Sequence, residues 1–335
     1  MPWEVVAFEI PVPGGTSVHL RSERVQAGTW IDLHLSSTSA RPAAARDASR
    51  GRARTGARCY TPWCAFAPGP ATGAAKPLQP MCRLFGQHAH AGLDPTEPLC
   101  SAENALRFQS HKHPHGWGIG WYEGGAPLVR RGILPAHSDE GFMSAGREVR
   151  STVVIAHVRE ASVGPVLHQN THPFLHGRWL FAHNGTVARY RDSADVRSAL
   201  AAEIDPDLRL SIRGDTDSER CFYLFLTRLR ARAGLDGATL PDVQRALFET
   251  TATVLRIADA PSPKPTSLNF VVADGRLLAA CRHGRTLHLA MDAGPQHAFA
   301  VASERIGTRG WTEVPEDGFV GTEDGLRAVQ VSLAA

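Results

Sequence analysis

Met81-Cys82-Arg83-Leu84-Phe85-Gly86 decides how this chain is read. A cysteine directly behind a methionine, opening an apolar run, has the form of a mature N-terminus, because an initiator methionine is usually trimmed when the next side chain is small. A cysteine at a chain start carries both a thiol and a free α-amine. That amine has a reference pKa of about 7.7–8.0 and acts as a base near neutrality. The thiolate is the reactive form of the sulfur, so a nearby base or cation activates it. One residue then supplies nucleophile and base. In the chain as written, Met81 acylates Cys82. The reading therefore requires that Met81 is the true start or that residues 1–81 are cut away; if neither holds, it fails.

The 335 residues suffice for one large domain or two ordinary ones with a full hydrophobic core. The net charge of +3 is unevenly placed. Residues 1–80 hold nine basic and five acidic side chains, leaving 27 basic and 28 acidic residues in the rest. The basic excess thus belongs to the front segment, and the remainder gives no bulk reason to expect nucleic acid or an anionic membrane as partner. From Arg41 to Pro80 the chain is dominated by Ala, Arg, Gly and Pro, with little periodicity. Such a stretch buries too little apolar surface to offset chain entropy, so residues 1–81 are expected to be a disordered extension, a mis-called start or a propeptide, ahead of one domain over 82–335. The six cysteines are scattered, and Cys59 and Cys64 lack a second pair for a zinc ribbon. Reduced thiols in a cytoplasmic protein are the better reading. No apolar run approaches the length of a membrane span.

After Met81 the pattern sharpens. Arg83–Gln87, Trp117–Tyr122, Thr152–Val158 and Trp179–Ala182 read as short buried strands. Leu99–Gln109 reads as a helix with Ser101 at its N-cap. Asp217–Arg232 is the clearest helix, with Phe222, Phe225, Leu226 and Leu229 on one stripe, and Pro241–Ile257 is a second. Leu268–Ala273 and Leu277–Arg282 flank an Asp274-Gly275 turn as a β-hairpin, and strand-like runs at Thr286–Met291, His297–Ser303 and Arg327–Leu333 follow. Strands, a helical pair and then hairpins predict a layered α+β domain rather than a repeating βαβ fold.

Four stations after Cys82 carry candidate chemistry. His113-Pro114-His115-Gly116-Trp117-Gly118-Ile119-Gly120 sets glycines into an aromatic strand, where a second backbone or a ligand can come close. Ala156-His157-Val158-Arg159 runs into a loop that reaches Asn170-Thr171-His172-Pro173; an arginine there suits a carboxylate, although a surface ion pair is the plainer role. His183-Asn184-Gly185 offers a side-chain amide beside a glycine N–H, two donors for an oxyanion, and is equally an Asn-Gly turn signal. Gly214-Asp215-Thr216-Asp217-Ser218-Glu219 opens the strongest helix, where a carboxylate caps the helix and can also receive an ammonium group.

In this order the set resembles the class II glutamine amidotransferases, which are N-terminal-nucleophile hydrolases. It is most similar to their stand-alone branch, which includes the ergothioneine-pathway γ-glutamyl hydrolase and the glutathione-degrading amidotransferase. The resemblance covers roughly residues 81–310. It implies a four-layer αββα sandwich and hydrolysis of a γ-glutamyl amide, glutamine or a γ-glutamyl conjugate, through a Cys82 thioester that releases glutamate. On that resemblance Cys82 is the nucleophile, Asn184 and Gly185 form the oxyanion hole, Arg159 binds the substrate α-carboxylate, Asp217 its α-ammonium, and His172 lines the pocket. It implies no cofactor and no metal. The partner is a small γ-glutamyl substrate, with a separate synthase subunit that takes the ammonia left open. Two departures stand out: His115 occupies a place where the family commonly shows an acidic residue, and 81 residues precede Cys82. Two other readings are weighed. One is a non-catalytic regulatory or binding module on the same fold. The other is a metal protein built on His111, His113 and His115, whose alternation would share one face of a strand.

Overall fold

A computed structural model describes residues 82–258, 265–292 and 298–323, together with strand backbone at Glu9–Val12, Thr16–His19, Arg21–Arg24, Thr29–Asp32 and Ala328–Leu333. The extension's Ala/Arg/Gly/Pro-rich part, 41–80, lies outside the described residues, as do Cys59 and Cys64.

Two antiparallel sheets stack face to face. In the first, Arg83–Leu93 lies between Ala298–Ala302 and Ser151–Val158, and Trp117–Glu123 pairs with the far side of Ser151–Val158. In the second, Trp179–Thr186 lies beside Ser267–Ala273, followed by Leu277–Cys281, Gly318–Glu323 and Ala328–Leu333. Thr29–Asp32 and Arg21–Arg24 continue that sheet at its edge.

The strands are apolar on both faces because both faces are covered. Successive side chains point to opposite sides of a sheet. Leu84 therefore enters the layer between the sheets with Ile155, Leu180, Val271 and Phe299. Its neighbour Phe85 points outward, into a core with Leu99, Trp117, Ile119 and Phe142. On the far side of the second sheet, Phe181 and Phe270 meet Phe222, Phe225 and Leu247. The last three sit on helices Asp217–Ala233 and Leu240–Ala258. Helices, sheet, sheet and helices give the four-layer α+β sandwich.

Three local expectations change. The predicted helix over 99–109 is two short turns, Glu97–Ser101 and Leu106–Gln109, so Ser101 ends a turn and caps nothing. Between them Asn104 takes φ 56°, a left-handed conformation that breaks a helix, and its Nδ2 donates to the Arg305 carbonyl. Asn184-Gly185 is no turn: strand Trp179–Thr186 runs straight through it. His111, His113 and His115 lie in a non-strand connection, so period-two alternation does not apply to them.

Candidate active site

Cys82 stands one residue before the strand Arg83–Leu93, and Arg159 one residue after its partner strand Ser151–Val158. The register pairs Arg83 with Val158, which brings Cys82 to the Arg159–Glu160 bend. The Cys82 sulfur accepts the Glu160 N–H at 3.2 Å and can donate to the Glu160 carbonyl at 3.3 Å. Burial pushes the thiol up to about 11, with the Glu160 main chain and the Arg159 charge opposing that rise. At neutral pH such a sulfur is a thiol, so attack requires a base at the moment of reaction.

Arg159 is 3% exposed and donates to the main-chain carbonyls of Val163, Gly164 and Pro165. Those bonds fix the guanidinium, yet no carboxylate pairs with it among the described residues. Asp217 is equally buried and likewise has no cationic partner among them. The helix cap falls one residue before it: Thr216 Oγ1 accepts the Glu219 N–H, which frees the Asp217 carboxylate for the N–H groups of Val187 and Ser218. The electrostatic influence of Asp217 reaches both Cys82 and Arg159. Two buried opposite charges, unpaired and close to one sulfur, are costly to maintain without a ligand.

Asn184 and Gly185 come from the second sheet. Leu268, opposite Gly185, gives its N–H to the carbonyl of His283, two residues past strand Leu277–Cys281 on the far side. In an antiparallel ladder the bonding direction alternates, so the Gly185 N–H points away from Ser267–Ala273. Strand Phe174–His176, on that side, pairs only as far as Phe181, and the N–H has no partner among the described residues. The Asn184 Oδ1 is buried and has no hydrogen-bond partner among the described residues. No side chain fits at Gly185: a Cβ would stand 1.9 Å from the Ser267 carbonyl. Ser162 Oγ lies 3.5 Å from Thr186 Oγ1, which links the loop behind Glu160 to this strand end.

His172 is buried against His157 and Phe174, with ring centroids 4.2 and 4.7 Å away. Burial, then the neighbouring His157, holds its pKa well below the usual histidine range. His172 thus serves as packed wall, with both ring nitrogens lacking a hydrogen-bond partner. Gly118 of the aromatic strand makes room for the His172 backbone: a Cβ there would lie 2.0 Å from the His172 carbonyl. Gly120 instead admits the side chains of Pro173 and Leu180.

Sequence reasoning missed three contributors. Glu160 acts through its main chain, which no side-chain pattern reports. His157, fully buried and pushed down to about 3 by burial, shows in the sequence only as a letter within a strand. His183 is fully bonded: its Nε2 donates to the Ser267 carbonyl and its Nδ1 lies 2.9 Å from Ser218 Oγ. Burial holds its pKa below the usual histidine range. The rings of His111, His113 and His115 do not gather into a metal-binding group; among the described residues His283, Glu316 and Asp317 form such a group, on exposed or half-buried side chains. A cavity of about 250 Å³ near Phe248 and Cys281 lies apart from Cys82.

The profile of class-II glutamine amidotransferases matches residues 81–306. The chain belongs to this family. Within it, the chain is 32% identical over 246 residues to a γ-glutamyl-hercynylcysteine sulfoxide hydrolase of Mycobacterium tuberculosis, covering 70% of this chain and 90% of the relative. A relative of the same name from Mycolicibacterium smegmatis is 28% identical, over 69% of this chain and 88% of its own length. A glutamine aminotransferase class-II domain protein from Silicibacter pomeroyi superposes with a TM-score of 0.56 at 23% identity, over 76% of this chain and all of that one. The glutamine phosphoribosylpyrophosphate amidotransferase of B. subtilis gives 0.52 at 16% identity, over 75% of this chain and 49% of its own. These two structures share the amidotransferase fold with this chain. No helix among the described residues is long and apolar enough to cross a membrane.

Proposed function

We propose that this class II amidotransferase hydrolyses a γ-glutamyl amide through Cys82 and releases glutamate. The observation that carries this reading is the pair of buried, unpaired charges beside the Cys82 sulfur, Arg159 and Asp217. Together they match the carboxylate and ammonium of an α-amino acid, and they would hold a glutamyl δ-carbonyl over the thiol. In the proposed reaction the sulfur attacks that carbonyl and its proton passes to the Cys82 α-amine. The oxyanion rests on the Asn184 amide and the Gly185 N–H. The leaving amine takes the proton, and water then cleaves the γ-glutamyl thioester. The base exists only when residues 1–81 are absent, so the active form begins at Cys82 and the domain is 82–335. Cys82, Cys100, Cys221 and Cys281 are all free, in keeping with a reducing, cytoplasmic setting.

The first substrate to test is γ-glutamyl-hercynylcysteine sulfoxide, for which both mycobacterial relatives are named, beside glutamine and glutathione. Protein isolated from its own host should begin at Cys82, release glutamate from at least one of these, and carry a glutamyl adduct on Cys82 after rapid quenching. An active protein that retains residues 1–81 would overturn the mechanism.

A further inference from the structure

The His115 side chain stands against the segment that holds the nucleophile. Its Nδ1 accepts the Ala161 N–H at 3.1 Å and lies 3.4 Å from Glu160 Oε2. Its own N–H donates to the Arg159 carbonyl, and the Arg159 N–H donates to the Gly116 carbonyl. Three bonds therefore tie His115-Gly116 to residues 159–161, and one of the three belongs to a side chain. The same short segment aims the Arg159 guanidinium and supplies the Glu160 N–H and carbonyl that hold the Cys82 sulfur.

We propose that His115 is a positioning residue for the Cys82 reaction: its Nδ1, as acceptor of the Ala161 N–H, holds residues 159–161 in the place that clamps the sulfur. The proposal rests on reading Cys82 as the nucleophile. A ring nitrogen without a proton accepts an N–H, and the Ala161 N–H is the one aimed at it. Glu160 on the clamped segment lies beside the same nitrogen. The side chain is 37% exposed, so replacing it leaves no cavity in a core.

The test compares wild type, His115→Ala and His115→Asn. An asparagine Oδ1 accepts the same N–H and does not titrate. His115→Ala should lower kcat/KM about 10- to 100-fold across the pH range, the scale of a displaced catalytic group. His115→Asn should recover most of that loss, because its Oδ1 restores the acceptor. A His115→Asn as slow as His115→Ala, or wild-type kcat/KM in His115→Ala, overturns the proposal. A second readout needs no substrate: alkylation of Cys82 by iodoacetamide in the full-length chain, followed by mass spectrometry of its peptide. His115→Ala should be modified about threefold faster or more, and His115→Asn at close to the wild-type rate. Equal rates in all three proteins refute positioning whatever the activity. The expected alkylation pattern without glutamate release from any of them refutes the catalytic reading and leaves positioning standing.

Discussion

The two sheets bring their groups to the site in different ways. The first offers Cys82 and Arg159 from just outside its strands, where main-chain groups of the following loop hold the sulfur and the guanidinium. The second offers Asn184 and Gly185 from within a strand, between Ser267–Ala273 on one side and helix Asp217–Ala233 behind. In the proposed mechanism the reacting atom is placed by a bend, and cutting the chain before it would free its amine. The donors proposed for the oxyanion are set into a ladder. An oxyanion hole is worth most when it needs no rearrangement at the moment of reaction, which suits a strand better than a loop.

The largest expected effect removes the reacting atom. Cys82→Ala should lower glutamate release by about 10⁴-fold or more, with the melting temperature little changed. A variant that keeps even a tenth of the activity would dissolve the contrast between the sheets. On the second sheet, Asn184→Ala should cost about 10²–10³ in kcat with little change in KM, because in the proposed mechanism the amide serves the transition state. A KM effect alone would make Asn184 a substrate anchor instead. Arg159→Lys keeps a charge but loses the fork held by three carbonyls, and should raise KM by about 10- to 100-fold. Substrates lacking the α-carboxylate should be indifferent to that change, as a panel of γ-glutamyl analogues would reveal.

The smallest effect is on stability. His157 is neutral in the fold, held down to about 3, whereas an unfolded histidine titrates at about 6.5. Below about 6.5 the unfolded chain binds a proton that the folded chain refuses, so stability falls as pH drops from there towards about 3. The slope is about 1.4 kcal/mol per pH unit for one such group. Urea midpoints between about pH 7 and pH 5 should follow it, and His157→Phe should flatten the curve. His172, shifted in the same direction, contributes with the same sign.

Much of this was legible in the residues themselves. Apolar runs at 152–158 and 179–182 marked strands covered on both faces, and the stripe Phe222, Phe225, Leu226, Leu229 marked the long helix. Asn184-Gly185 was ambiguous because the same dipeptide makes a turn or ends a strand, and only pairing with Asn269 and Leu268 decides between them. The carboxylate cap expected within Gly214–Glu219 is a hydroxyl instead: Thr216 caps the helix, and the fold gives Asp217 another task at Val187.

Composition, spacing and motif order determined which side chains are available: one thiol that a cut would place at a chain start, one arginine after a strand, one amide beside a glycine, one carboxylate at a helix start. Those are properties of covalent order and short-range preference. The tertiary structure decided what each is worth. Burial drives the sulfur to about 11, leaves Arg159 and Asp217 unpaired, and gives His115 a main-chain partner 46 positions away. Desolvation and long-range register are set by which strands lie against each other, and no local stretch of the chain carries that information.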